Sequence, residues 1–417
     1  MRSASLLALG LVTGCVAQQG ASTVPADGPA LRSATTSSKY QVLSAFTKLN
    51  DGTHPDGGLV DVGGALYGTT SGGGNAQCPP GPFCGTVYSV TTGGRQQVIY
   101  RFKGGRDGAR PMAKLLNEYG AVYGTTSRGG KGCGSVGCGT VFSMSTQGVK
   151  TVIYLFQGGS DGATPVASLI YARGVFYGTT EFGGGNNCSS TTEGCGTVFS
   201  VDMSGNERLL HRFTGGSDGG HPAAGLIDVN KTFYGTTSSG GAGYGTVFSI
   251  TPPGGLKTVY RFHDAPDGAY PTAQLTRVVS SLYGTTSAGG DYNNGTIFRI
   301  SKKGVESVIY SFNTPSSHSD GDEVDFPLVY FQRMFYVASQ RGGEGKCSDA
   351  CGILYSVTLH GKAQILHEFD GGADGCLPSS GLVALNETLY GVTALGGPGD
   401  KSCRDVGPGG TVYSYTP

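Results

Sequence analysis

The chain has 417 residues, 29 basic and 29 acidic side chains, and only 14% charged positions. With no net charge and no basic cluster it lacks the electrostatic footprint that holds a phosphate backbone, which argues against nucleic acid as a partner. The length exceeds that of a usual single core, and the 75 glycines stand at fixed intervals between β-branched and aromatic runs, as turn residues of a repeated all-β unit do.

Residues 1–14 carry one cation, Arg2, and a short apolar run over 6–12, and read as a signal peptide rather than a membrane span. Val12-Thr13-Gly14-Cys15 resembles a bacterial lipobox, in which cleavage precedes the cysteine and the thiol carries a lipid; the rival is ordinary cleavage after Ala17. Val16 rather than Asp at the next position favours the outer membrane in the sorting pattern of such lipoproteins. Residues 15–39, rich in Gln, Ala, Ser, Thr, Gly and Pro, form a flexible tether. As a random coil it spans roughly 27 Å. The expected address is therefore the bacterial cell envelope, with the membrane reached through lipid on Cys15.

From residue 40 to 417 one unit repeats. Its opening Tyr falls at Tyr67, Tyr123, Tyr177, Tyr234, Tyr283, Tyr336 and Tyr390, at spacings of 56, 54, 57, 49, 53 and 54 residues, and periods of this size mean propellers or solenoids. In the second unit four β-rich runs are bounded by turn residues, at 111–116, 121–126, 139–144 and 151–156. Hairpin-sized connections make them run up and down. Four antiparallel strands seven times over predict an all-β fold, a seven-bladed β-propeller. The first segment, 40–46, matches a fourth strand and the last, 410–416, a third, so pairing the two closes the ring within one blade and removes its raw edges.

The loop between the Tyr and the Gly of GTVF carries the cysteines. It spans 18, 16, 19, 11, 12, 16 and 20 residues in order, and the two shortest copies have none. That pattern predicts disulfides Cys78 with Cys84, Cys133 with Cys138, Cys188 with Cys195 and Cys347 with Cys351, which restrict long excursions. Cys376 with Cys403 joins two loops that leave a four-stranded blade on the same face. Zinc is the alternative, but no second pair or His completes four ligands within one loop.

Each fourth strand ends in Phe and is followed by Asp-Gly, at Asp51, Asp107, Asp161, Asp218, Asp267, Asp320 and Asp374, and then by proline. Asp and Gly suit a blade-to-blade turn, and a catalytic carboxylate is not needed once per blade.

The string YGTTSxGG, GTVF, a hairpin, F-x-GG-x-DG-xx-P and a returning LYGTT resembles the tandem repeat called GloVer (Gloeo/Verruco), found in exported bacterial proteins. The match runs over 40–417 and implies a propeller-like fold and export, but no catalytic residues and no cofactor. The sixth copy departs, with YVAS at Tyr336, GIL at Gly352 and an insertion over 316–325. Kelch and Asp-box repeats share the GG and DG pairs, yet both usually use Trp and this chain has none.

Within a repeat, positions that vary inside a fixed frame are free to specialise. The residue before the closing proline is one: His54, Arg110, Thr164, His221, Tyr270, Phe326 and Leu377. If the crossing loop leads into the innermost strand, these ring one mouth of the channel and suit a small polar molecule, glycan or peptide; variable loop surface is the plainer alternative. A binding or scaffold module, for such a ligand or an envelope protein, is the primary reading. A propeller hydrolase or lyase is the alternative, with His54 and His221 as base or ligands, although no carboxylate shares their positions. His211 and His367 replace a strand Tyr and read as packing residues. The run Asp320, Asp322, Glu323, Asp325 offers oxygens to calcium but lacks a loop pattern. The sequons at Asn187, Asn230, Asn294 and Asn386 matter only in a glycosylating eukaryotic pathway, against which the lipobox argues.

Overall fold

The computed structural model describes residues 39–417 apart from 76, 79–83, 186–187, 189–192, 264, 314–323, 344–350, 399–402 and 404–408. Cys15, the tether up to residue 38, Cys347, the acidic residues Asp320, Asp322 and Glu323, and Asn187 thus lie outside the described residues. The described strands form seven blades of four antiparallel strands in a seven-bladed propeller. Two short pairs, Gly162–Ala163 with Phe182–Gly183 and Gly268–Ala269 with Ala288–Gly289, lie outside the blades, and Cys376–Pro378 adds a fifth strand to the sheet of blade seven. Blade two is typical: Leu116–Glu118, Ala121–Thr126, Thr140–Ser145 and Lys150–Leu155.

The two chain ends share blade seven. Tyr40–Ala45 lies antiparallel to Thr411–Tyr415, with Tyr40 opposite Tyr415 and Ala45 opposite Thr411. The Phe46 amide donates to the Gly410 carbonyl at 3.0 Å and the Thr416 amide to the Lys39 carbonyl at 2.9 Å. No sheet edge is left open at the joint, as the phase of the repeat requires.

Each letter of the repeat has a task. The second Thr of YGTT meets the Thr of GTVF across the strand pair, Thr126 Oγ1 to Thr140 Oγ1 at 2.9 Å, and the bond recurs in six blades. In blade six the partners are Ser339 and Ile353, which has no hydroxyl to share; Ser339 keeps only the other bond of this position, to the carbonyl two residues on, as Thr126 makes to Arg128. The first Thr reaches the next blade: Thr125 Oγ1 donates to the Ala167 carbonyl and Thr179 Oγ1 to that of Ala224. Gly124 carries no side chain because a Cβ there would sit 2.8 Å from the Phe142 ring. Gly139 takes φ +99°, and a Cβ on it would strike Pro165 of the following blade at 2.5 Å.

Aromatic pairs hold the blades together. The Phe ending each fourth strand meets the third-strand ring of the next blade edge-on, Phe102 with Phe142 at 5.3 Å and Phe156 with Phe199 at 5.0 Å. The series runs through all seven seams, including Phe369 with Tyr413 and Phe46 with Tyr88 at the closure. Such edge-to-face pairs add about 0.5–1.5 kcal/mol each beyond area burial.

Among the described residues, the Asp of five Asp-Gly turns braces this seam. Tyr100, Tyr154 and Tyr260 donate from their hydroxyls to Asp107, Asp161 and Asp267 at 2.8, 3.0 and 2.8 Å. Where the Tyr is replaced, His211 and His367 keep the contact with Asp218 and Asp374 at 3.0 and 3.1 Å. These histidines therefore preserve a hydrogen bond as well as packing.

The disulfides Cys78–Cys84, Cys133–Cys138, Cys188–Cys195 and Cys376–Cys403 are formed, with Cα separations of 5.5, 5.2, 5.1 and 6.3 Å. One expected boundary shifts. The innermost strand of blade two begins at Leu116 rather than Pro111, because Pro111 has no N–H for a ladder and the segment after it bonds to the neighbouring blade, as Ala113 does to Thr69.

Candidate functional site

The crossing loop turns at Asp-Gly, passes a residue in the left-handed region, and enters the ring through proline. His54, Arg110, Thr164, His221, Tyr270 and Leu377 all have φ between 54 and 58°. The amides of five of them donate to the preceding blade, Arg110 to Cys84, Thr164 to Cys138, His221 to Cys195 and Leu377 to Cys351, each at 2.8 Å, and Tyr270 to Tyr244 at 2.9 Å. The second cysteine of a loop disulfide is thus the acceptor that docks the next blade. Their carbonyls accept from their own blade, from Ser71 to His54 at 2.9 Å and from Ser127 to Arg110 at 3.0 Å. The bonds that the left-handed residues share from blade to blade use their backbone, so their side chains are free to vary.

Phe326 does not belong to this set. Its carbonyl accepts from Thr285 Oγ1 at 3.1 Å, the bond that the Ala167 and Ala224 carbonyls make in other blades. The next strand also keeps register, with Val329 opposite Tyr336 as Ile170 is opposite Tyr177. Val324 therefore stands where other blades have the closing proline, and Pro327 lies three residues too late to mark it.

The channel is lined just beyond the proline. A cavity of about 510 Å³ is bounded by all seven blades. Along the segment side chains alternate: Met112 and Lys114 are part-exposed to the cavity, while Ala113 and Leu115 are buried in the blade. The first cavity-facing tier reads Asp56, Met112, Val166, Ala223, Thr272, Asp325 and Ser379, and the next reads Gly58, Lys114, Ser168, Gly225, Gln274, Pro327 and Gly381. Of the seven residues expected at the rim, Phe326 and Leu377 line this cavity. His54 and His221 stay in their joints, where Nδ1 of each contacts Thr53 Oγ1 at 3.1 Å and the Glu181 carbonyl at 3.2 Å.

The charged groups of the wall follow the proline position, whereas the variable residues of the repeat precede it. A period-two reading of the residues after it finds them. Burial raises the Asp56 carboxyl above its ordinary range, opposed by a hydrogen bond from Ser71 and by the charges of His54 and Arg110. Asp325 is raised by burial and opposed by the Thr272 hydroxyl, which donates to it at 2.8 Å. Burial lowers the Lys114 ammonium. In blades two, four and five the Ser after YGTT donates its hydroxyl to the left-handed carbonyl, as Ser127 does to Arg110 at 3.0 Å. In blade one Ser71 turns to Asp56 instead.

A second departure lies behind the wall. In blades two to five the buried residue after the first tier is Ala113, Ala167, Ala224 or Ala273, and the third-strand ring is Phe142, Phe199, Phe248 or Phe298. In blades six, seven and one the pairs become Phe326 with Tyr355, Ser380 with Tyr413 and Gly57 with Tyr88. The hydroxyls of Tyr88 and Tyr413 are buried without a hydrogen-bond partner among the described residues. Burial, with the Asp56 charge behind it, pushes the Tyr88 hydroxyl far above the usual phenol pKa.

His221 also lies beside the Cys188–Cys195 disulfide, with the three ligand atoms within 4.8 Å of one another. A His that the loop itself lacks is thus supplied by the next blade. Both sulfurs are bonded to each other, however, and thiolates are what bind zinc.

The family model described as the Gloeobacter/Verrucomicrobia repeat matches residues 8–189 and 187–403. No curated protein matches the chain. Among solved structures, a europium-containing methanol dehydrogenase aligns at TM-score 0.50 and 10% identity, covering 91% of this chain and 94% of that one. A quinohemoprotein alcohol dehydrogenase from Comamonas testosteroni aligns at 0.49 and 11%, covering 91% and 76%. A puromycin hydrolase aligns at 0.47 and 10%, covering 82% of this chain, which spans 50% of the hydrolase's length. At such identities these likenesses concern the fold alone.

Proposed function

Taking as premise that the chain belongs to the Gloeobacter/Verrucomicrobia repeat family, we propose that it is an exported, lipid-anchored propeller that binds a small polar ligand in its central channel. The observation that carries this reading is the cavity of about 510 Å³ with Asp56, Lys114 and Asp325 in its wall. That volume lies within the range of small-molecule sites, which combine apolar walls with a few placed polar groups. Charges in a half-buried wall without counter-charges cost stability, so the repeat frame gains nothing from them. The cavity-facing positions differ from blade to blade within a frame whose strand signatures recur.

A thermal-shift screen of small polar compounds on the full chain tests the channel. A compound that raises the unfolding midpoint should lose its effect in Ala223→Phe, which fills the cavity from an apolar stretch of wall. Retention of the effect in that variant rejects the channel as the site. For the anchor, mass analysis of the N-terminal peptide should find lipid on Cys15 and none in Cys15→Ser; an unmodified chain starting after Ala17 contradicts it.

A further inference from the structure

The three charges in the cavity wall are not partners of one another. Asp56 and Asp325 accept hydroxyl hydrogen bonds, from Ser71 and Thr272. Neither stands within 4.0 Å of a basic group among the described residues, and Lys114 has neither an ion pair nor a hydrogen bond among them. The lysine is placed with care. Its Cβ and Cδ would lie 3.6 Å from a Cβ built on Gly58, so the stem runs across a tier position kept small in blade one. Gly225 and Gly381 keep the same tier open on other sides.

The charges are also ordered along the channel. Asp56 feels His54 and Arg110 of the joint, on the side where the crossing loops enter, whereas Lys114 stands two residues further along its own segment. Opposite the acidic blades the first tier offers Met112, Val166 and Ala223. A ligand that satisfies this wall has a cationic donor at one end, an anionic acceptor at the other and an apolar flank.

We propose that the channel binds a small zwitterion of amino-acid or dipeptide size, its ammonium group held by Asp56 and Asp325 and its carboxylate by Lys114. This rests on the channel being the binding site. A neutral sugar would cover three half-buried charges without counter-charges, which costs binding energy, whereas a zwitterion neutralises them as it covers them.

The test is calorimetric titration of the full chain with a panel of free L-amino acids and unprotected dipeptides, and then with the N-acetyl and C-amide forms of whichever bind. Neutral monosaccharides are titrated in parallel. The expected result is that a free zwitterion binds, that blocking either end weakens it by roughly 10–100-fold, and that Lys114→Met weakens the free form but not its C-amide. Blocked forms binding as tightly as free ones overturn the assignment. If only a neutral sugar binds, and Ala223→Phe abolishes it, the channel reading stands and the zwitterion falls. If nothing in either panel binds, both fall.

Discussion

Blades two to five and blades six, seven and one build the same seam with different walls. In the first group Ala packs behind the channel, Phe fills the seam, and Met112, Val166, Ala223 and Thr272 face the cavity. In the second, Tyr fills the seam and Asp325, Ser379 and Asp56 face the cavity. The three departures sit in neighbouring blades and occur together at two positions of the repeat. A frame that tolerates Ala and Phe four times has no structural need of Asp and Tyr, so the second group marks where the ring was specialised.

The largest expected effect tests what the two groups share. Phe156→Ala and Phe46→Ala should each cost about 3–5 kcal/mol in urea unfolding, since both remove a fully buried ring from a seam. A much smaller loss for Phe46→Ala would mean that the closing seam is not equivalent to the others. Next comes the staple of blade seven. Cys376→Ser with Cys403→Ser opens a link of sequence separation 27, worth roughly 3–4 kcal/mol by loop entropy. The Cys133–Cys138 link, at separation 5, should be worth about 2 kcal/mol. Equal losses would show that loop length does not govern them.

The third prediction exchanges the two groups. Tyr88→Phe should stabilise the protein by about 1 kcal/mol or more by removing a buried hydroxyl without a partner, and Phe142→Tyr should cost a similar amount. If Tyr88→Phe destabilises, its hydroxyl is a structural group and the comparison loses half its support.

The smallest effect lies away from the channel. At the start of the fourth strand Lys150 pairs with Asp107 at 3.0 Å, whereas Glu207 and Glu306 occupy that position in blades three and five. Their carboxyls are pushed up to about 7, by burial first and then by Asp161 and Asp267. The folded state holds these protons more tightly than the unfolded one, so their contribution is present below the unfolded carboxyl range and is lost as pH rises through about 7. Glu207→Gln with Glu306→Gln should therefore flatten the fall in stability between about pH 5 and 8. The change should be less than about 1 kcal/mol because both keep solvent contact. An unchanged pH profile would place the titration elsewhere.

Much of the frame could be read from the residues. The Phe46 and Gly410 ends declared the closure because one was a fourth strand without a blade and the other a third strand without a successor. The wall was harder to read because its signal is a period of two over four residues, too short to stand out beside the proline. Blade six misled for a related reason. The residue that keeps register is the Leu before the inner strand, Leu115, Leu169 and Leu328, and counting back from Leu328 sets Asp325 level with Asp56. Counting from Pro327 sets Phe326 level with His54 instead.

The most direct measurement of the central claim needs no ligand: the unfolding midpoint of the full chain carrying Asp56→Ala, Lys114→Met and Asp325→Ala. Ser71 can then donate to the His54 carbonyl as its counterparts do, and three half-buried charges disappear. A midpoint equal to or above that of the unmodified chain is the expected result. A fall of the size seen on losing a seam phenylalanine would show that the charged wall holds the ring together, and would contradict its assignment to binding.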